Sequence, residues 1–246
     1  MYQFFVKPEQ ISDRDITITG SDVNHIKNVL RMKVGEELAV KSGEDDREYR
    51  CEIVEIGEEE VHCHLRFIKE DGVELPSNVY LFQGLPKADK MEMIIQKAVE
   101  LGAFEIIPVA TKRAVVKLDE KKAKAKVTRW QGISEAAAKQ SKRGVIPEIK
   151  NVMTFKEAVA YAKEMEVKLI PYELAEGMQS TKEIIAGLVP GQRVAVFIGP
   201  EGGFEESEIE EAKAAGIQPI TLGKRILRTE TAGLTVLSWI MYHLEI

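Results

Sequence analysis

The chain has 246 residues, with 34 Lys+Arg against 40 Asp+Glu, a formal charge of −6, and 44% hydrophobic and 30% charged residues. These are the proportions of a globular protein long enough for one large or two smaller domains. Cys51 and Cys63 alone exclude a disulfide scaffold and a cysteine-only zinc site, and net charge by itself disfavours a nucleic-acid partner. The first residues show no charged leader before a long apolar stretch, and 232–244 is too short and too interrupted to span a bilayer, so no membrane partner and a cytoplasmic location are expected.

Along residues 1–72 the pattern is β-rich. Apolar and polar residues alternate over 61–67 and again at Tyr49, Cys51 and Ile53, with a turn at Gly57 between them and another strand over 37–41. Short strands at this spacing suggest a small barrel. A helix over 21–32, capped by Ser21 or Asp22, interrupts it with the stripe Val23, Ile26 and Leu30. The polar, Gly- and Pro-containing stretch 70–78 places a domain boundary, giving domains 1–72 and 73–246. Beyond it, apolar runs at 79–85, 105–111, 167–173, 193–199 and 218–222 alternate with helical segments at 90–101, 119–141, 154–164, 205–215 and 229–244. That alternation predicts an α/β fold with a parallel sheet covered on both faces.

Ligands of such sheets bind in loops beyond the carboxyl ends of the strands. Two loops stand out. One reads Gly199-Pro200-Glu201-Gly202-Gly203-Phe204; the other runs from Gly223-Lys224-Arg225 through Arg228-Thr229-Glu230-Thr231-Ala232. Neither matches a phosphate-binding fingerprint, and Glu205, Glu206 and Glu208 at the next helix start would repel a phosphate. A cofactor with an adenosine end and no phosphate fits better, and S-adenosylmethionine is the obvious one. A tight connection with no ligand is the alternative for a glycine-rich stretch taken alone.

Together the two loops, Ile198-Gly199-Pro200-Glu201-Gly202-Gly203-Phe204 and Leu222-Gly223-Lys224-Arg225-Ile226-Leu227-Arg228-Thr229-Glu230-Thr231-Ala232, resemble the C-terminal signatures of the RsmE family, SPOUT-class methyltransferases of N3 of a uridine in 16S ribosomal RNA. Gln83-Gly84-Leu85-Pro86-Lys87, Lys90-Met91-Glu92, Lys97-Ala98-Val99-Glu100-Leu101-Gly102 and Glu135-Ala136-Ala137-Ala138-Lys139-Gln140-Ser141 match as well, and His25-Ile26-Lys27-Asn28-Val29-Leu30-Arg31 resembles the family's PUA-like domain. Lys139 departs from the pattern, where a Glu is expected. The resemblance implies a trefoil-knotted α/β domain, a homodimer, and a cofactor held by main-chain groups around Ile198, Gly199, Pro200, Gly202 and Gly203 and around Leu222, Gly223, Arg225, Ile226 and Leu227. Thr231 and Ala232 belong to the same signature, and Tyr172 with Glu173 is expected to contribute.

Uracil N3 is a poor nucleophile until its proton leaves and negative charge spreads to O2 and O4. The site therefore wants a base near N3 and a cationic donor near a uracil oxygen. Arg228 is the expected donor; Glu230 and Glu201 are the candidate bases, with Glu230 preferred because it shares a helix turn with Arg228. An ion pair across the helix start is the competing role for both Arg228 and Glu230.

The charge is unevenly distributed: 1–72 holds 10 basic and 17 acidic side chains, whereas 111–150 holds 12 and 4. An acidic total therefore does not exclude RNA. Arg113, Arg129, Lys142 and Arg143 are expected RNA contacts, joined by Lys27, Arg31 and Lys33 in the acidic domain. The expected partner is 16S rRNA or the assembled small ribosomal subunit. No metal is expected: His62 and His64 face one side of a strand and Cys63 the other. Two other readings stay open, a SPOUT enzyme acting on a ribose 2′-hydroxyl and a non-catalytic RNA-binding ribosome-assembly factor.

Overall fold

Alternation of apolar and polar residues builds the first sheet from β1 (Gln3–Phe5), β2 (Asp15–Thr19), β3 (Glu37–Lys41), β4 (Glu48–Ile56) and β5 (Glu60–Lys69), in the order β1-β3-β4-β5-β2. Only the β1–β3 pairing is parallel. The expected barrel is thus a curled mixed sheet. Its inward residues, including Ile16, Ile18, Leu38, Cys51, Ile53, Val61 and Cys63, form one core. On the outer face His62 meets Glu60 and His64 meets Asp15, while burial pushes the Cys63 thiol up to about 12.

The helix expected over 21–32 is shorter. α1 (Ser21–Asn24) passes into a π turn at His25–Val29, and the backbone leaves the helix at Arg31, whose φ is +53°. Met32 then donates its N–H to Ile26 and turns its side chain into the core.

This computed structural model describes residues 1–70, 72–172 and 178–245, which fall into two units: 1–74 with 138–146, and 75–137 with 147–246. The first unit therefore takes in a segment from far beyond residue 72. Glu74 explains why. Its carboxylate accepts the backbone N–H groups of Gly144 (3.0 Å) and Val145 (3.1 Å) and pairs with the Arg143 guanidinium, whose Nε lies 3.0 Å away. Lys41 Nζ donates to the Lys142 carbonyl at 2.9 Å. Lys139, the departure from the family pattern, reaches Asp22 at 3.5 Å and lies over the Phe5 ring.

In the second unit the continuous apolar runs become β6 (Asn78–Gly84), β7 (Ala103–Ala110), β10 (Val167–Pro171), β11 (Arg193–Ile198) and β12 (Gln218–Ile220), with the short β8 (Glu148–Ile149) and β9 (Met153–Thr154) beside β7. Every pairing is parallel, in the order β12-β10-β11-β6-β7-β8. The helices are α2 (Lys90–Glu100), α3 (Glu120–Ser141, whose last turn belongs with the first unit), α4 (Phe155–Tyr161), α5 (Met178–Ala186), α6 (Glu206–Ala214) and α7 (Thr229–Glu245). A capping box between Thr154 and Glu157 starts α4, as the Thr-x-x-Glu spacing requires. The helix α5 had no counterpart among the sequence expectations. Phe82 and Phe197, on neighbouring central strands, stack at 4.3 Å on one face of the sheet, packed by Phe155 of α4 and Ile209 of α6. Ile94 and Ile95 of α2 and Val236, Leu237 and Ile240 of α7 are buried with the other face. Among the described residues no helix is long and apolar enough to cross a membrane.

Arg143, expected at an RNA surface, is 3% exposed. Its Arg143→Met variant strands a half-satisfied carboxylate, and a loss of about 2–4 kcal/mol in denaturant unfolding is expected. A loss below about 0.5 kcal/mol, the ordinary range for a surface substitution, would show that the pair does not hold this segment.

Candidate functional site

Because the strands are parallel, β10, β11 and β12 end at one edge, where described residues at and beyond their ends line a cavity of about 870 Å³. Its wall consists chiefly of residues 198–204 and 221–229, with Pro171, Tyr172, Lys90, Arg113 and Ala232. The glycines are required by space. A Cβ at Gly84, the last residue of β6, would sit 2.7 Å from the Pro200 backbone nitrogen, and one at Gly199 would lie 3.0 Å from Gly203 Cα. Gly203 (φ +65°) also needs the left-handed region that closes the turn.

A buried chain of hydrogen bonds fixes the loop. Gln83, with no exposed surface, donates from Nε2 to Thr229 Oγ1 at 2.9 Å, and that hydroxyl donates to the Gly199 carbonyl at 2.6 Å. One threonine thus ties the end of β6, the glycine loop and the start of α7 together. At the other end of the loop, Glu208 Oε2 accepts the Glu205 N–H at 2.8 Å and its Oε1 accepts the Lys112 N–H at 2.9 Å. The acidic helix start therefore has structural partners of its own.

Charge at the cavity centres on Lys90. Its Nζ lies 2.9 Å from Glu201 Oε1 and 3.4 Å from Glu230 Oε2. The hydrogen bond to Glu201 raises the Lys90 ammonium above its ordinary range, with Glu230 adding to the effect. Burial opposes the charge on Glu201, yet Lys90 and backbone N–H groups including that of Lys87 hold its carboxyl below the usual range. The two carboxylates differ: Glu201 is hydrogen-bonded at both oxygens, whereas Glu230 Oε2 is buried and accepts no hydrogen bond, standing only at ion-pair distance from Lys90.

An adenosine-containing cofactor without phosphates suits this wall. It offers main-chain groups brought close by glycines and apolar surface from Ile198, Leu222 and Leu227.

Of the residues expected from the sequence, Tyr172, Ile198, Gly199, Pro200, Gly202 and Gly203 lie on the cavity wall, as do Leu222, Gly223, Arg225, Ile226, Leu227 and Ala232. Arg228 and Glu201 line it too, whereas Thr231 and Glu230 do not. Glu173 lies outside the described residues. Arg113 belongs to this wall, its Nη1 donating to the Gly202 carbonyl at 3.2 Å. Arg129 pairs with Glu92 at 2.8 Å. Lys27, Arg31, Lys33 and Lys142 are exposed, and Lys27 donates to the Gly57 carbonyl. Sequence reasoning missed Gln83, Thr229 and Lys90 as site residues. The signal for each was a polar residue where a strand or helix end calls for an apolar or solvated one.

The family of RNA methyltransferase domains matches residues 73–241, and that of RNA methyltransferase PUA domains matches 18–66. Ribosomal RNA small subunit methyltransferase E of Bacillus subtilis (strain 168) is 38% identical over 100% of this chain and 98% of its own length. A ribosomal RNA small subunit methyltransferase E from Neisseria gonorrhoeae, solved bound to S-adenosyl methionine, superposes with a TM-score of 0.80 at 30% identity over 97% of this chain and 96% of that one. A putative methyltransferase from Legionella pneumophila, in complex with the cofactor SAM, gives 0.83 at 32% identity, covering 98% and 96%. Fold and cavity define a two-domain protein of the SPOUT class with a PUA-like N-terminal domain. The chain belongs to the ribosomal RNA small subunit methyltransferase E family.

Thr229→Val removes the donor to Gly199 and the acceptor for Gln83, and Gly84→Ala drives a methyl group into Pro200. Losing a buried bond of this kind costs about 1–3 kcal/mol, so S-adenosylmethionine affinity should fall about fivefold or more by calorimetry in a protein of normal circular dichroism. An unchanged Kd in both variants would show that the loop does not depend on these contacts.

Proposed function

We propose that the chain is an S-adenosylmethionine-dependent methyltransferase that modifies N3 of a uridine in the 16S RNA of the small ribosomal subunit. The observation that carries this reading is the meeting of the glycine loop and the α7 start around one cavity, with Arg228 in its wall and Glu230 in the first turn of α7. S-adenosylmethionine, when bound, supplies an electrophilic methyl group whose departure leaves a neutral thioether.

The remaining work falls to the chain. The walls at 198–204 and 221–229 hold and orient the cofactor and exclude water. Arg228, exposed at the wall, places its guanidinium against a uracil oxygen and stabilises the charge that develops there. Glu230 takes the N3 proton. The unsaturated Oε2 supports this choice over Glu201, whose hydrogen-bonded, acid-shifted carboxylate is the weaker base.

Lys27, Arg31, Lys33 and Lys142 of the first unit and Lys117 and Lys121 of the second are exposed cations that attract the RNA backbone. Arg143 is left out of that footprint because it is buried on Glu74. The target base must leave its stack to reach the cavity, which favours a looped substrate. The reading includes a homodimer, supported by Tyr242, 65% exposed at the end of the apolar helix α7. It also includes the knotted path of the SPOUT class, supported by β11 and β12 lying on opposite sides of β10.

With labelled S-adenosylmethionine and unmodified 16S RNA, Glu230→Gln and Arg228→Ala should each lower saturated turnover at least a hundredfold, the usual scale for losing a general base or a charge-stabilising donor. Near-normal turnover in both would sink the assignment. RNA affinity should fall linearly on a log–log plot against salt, and a flat response would remove the lysine footprint.

A further inference from the structure

We propose that Lys90 is the positioning residue of the transfer site: held between Glu201 and Glu230, its ammonium pairs with the Glu230 carboxylate and orients it to take the substrate proton. This rests on Glu230 being the proton acceptor, as proposed above.

The placement of Lys90 needs an explanation that local structure does not give. It is the first residue of α2, where the helix dipole favours an anion over a cation. Its side chain is only 29% exposed, so solubility is not the reason either. The cation is offset by two carboxylates from two other elements, Glu201 after β11 and Glu230 in the first turn of α7. Without it, the two carboxylates would face each other with no cation between them. Glu201 has a second partner in the Lys87 N–H, whereas Lys90 is the one ion-pair partner of Glu230 among the described residues.

Other charged groups enter from each side. Arg113 comes from the loop after β7, Arg228 from the start of α7, and Lys224 and Arg225 from the loop after β12, all on the cavity wall. Lys182 and Glu183 of α5, which also packs on α7, are exposed. Among the described residues, no ion pair joins Arg113, Arg228, Lys224, Arg225 or Lys182 to Glu230. In the step itself the uracil N3 proton passes to Glu230 and the N3 pair forms the new N–C bond. The S–C pair stays on sulfur, and Glu230 releases its proton to solvent afterwards.

The test is the pH dependence of saturated turnover for Lys90→Met, Lys90→Arg and Glu201→Gln, with circular dichroism and S-adenosylmethionine affinity as controls. Lys90→Met should move the acidic limb up by about one pH unit, losing roughly tenfold activity on that limb and recovering it at higher pH, while Lys90→Arg restores the limb. Glu201→Gln, which leaves the ammonium to Glu230 alone, should move the limb down, and this carries the test if Lys90→Met does not fold. An unmoved limb in the folded variants, including a uniform loss of rate at all pH values, overturns the role of Lys90. A Glu230→Gln protein that keeps both turnover and the acidic limb overturns the base assignment instead, so the two failures are separable.

Discussion

The site depends on a single threonine hydroxyl. Thr229, 5% exposed, accepts from Gln83 and donates to the Gly199 carbonyl, so β6, the glycine loop and the last helix cannot move independently at that point. Its neighbours raise the cost of any shift, because Gly84 passes Pro200 with no room for a methyl group and Gly199 passes Gly203 almost as closely. The two bonds through this hydroxyl hold a wall of main-chain groups in place at the cavity, as recognition of an uncharged adenosine requires.

Around that wall the charges are local. An acidic chain can carry a nucleic-acid site because its acidic residues are committed elsewhere: Glu74 clasps Arg143 and two backbone amides, Glu208 closes α6 onto Lys112, and Glu201 and Glu230 share Lys90. What stays free at the surface includes lysines and Arg31, which face solvent. Net charge is therefore a poor guide to the partner, and the distribution over exposed side chains is the better one.

Much of this was legible in the sequence. The five long runs of the second unit became parallel strands within two or three residues of their expected ends, because continuous apolar runs have few other ways to be buried. The two loops were legible as a pair, because together they match the signatures of one family, whereas the glycine-rich stretch alone also fits a tight connection. What could not be read were contacts between residues far apart in the chain. Charge and loop position made Arg143 look like an RNA contact, and nothing local announces the carboxylate of Glu74 that buries it. Gln83 and Lys90 were visible only as motif members, since their partners Thr229, Glu201 and Glu230 lie more than a hundred residues downstream. The helix expected over 21–32 ended early: its stripe of Val23, Ile26 and Leu30 packs on the core, but the backbone passes into a π turn at His25–Val29 and turns left-handed at Arg31, which no side-chain pattern encodes.

The proposed reaction requires the cavity to present a base nitrogen, not a sugar hydroxyl, to the methyl donor. The two are distinguished by incubating the protein with unmodified small-subunit RNA and S-adenosylmethionine and locating the new methyl group by mass spectrometry of the nucleosides and by primer extension. A single 3-methyluridine that blocks extension at one 16S position is the expected result. A 2′-O-methyl nucleoside, or no methylation of either free RNA or assembled subunits, would contradict it.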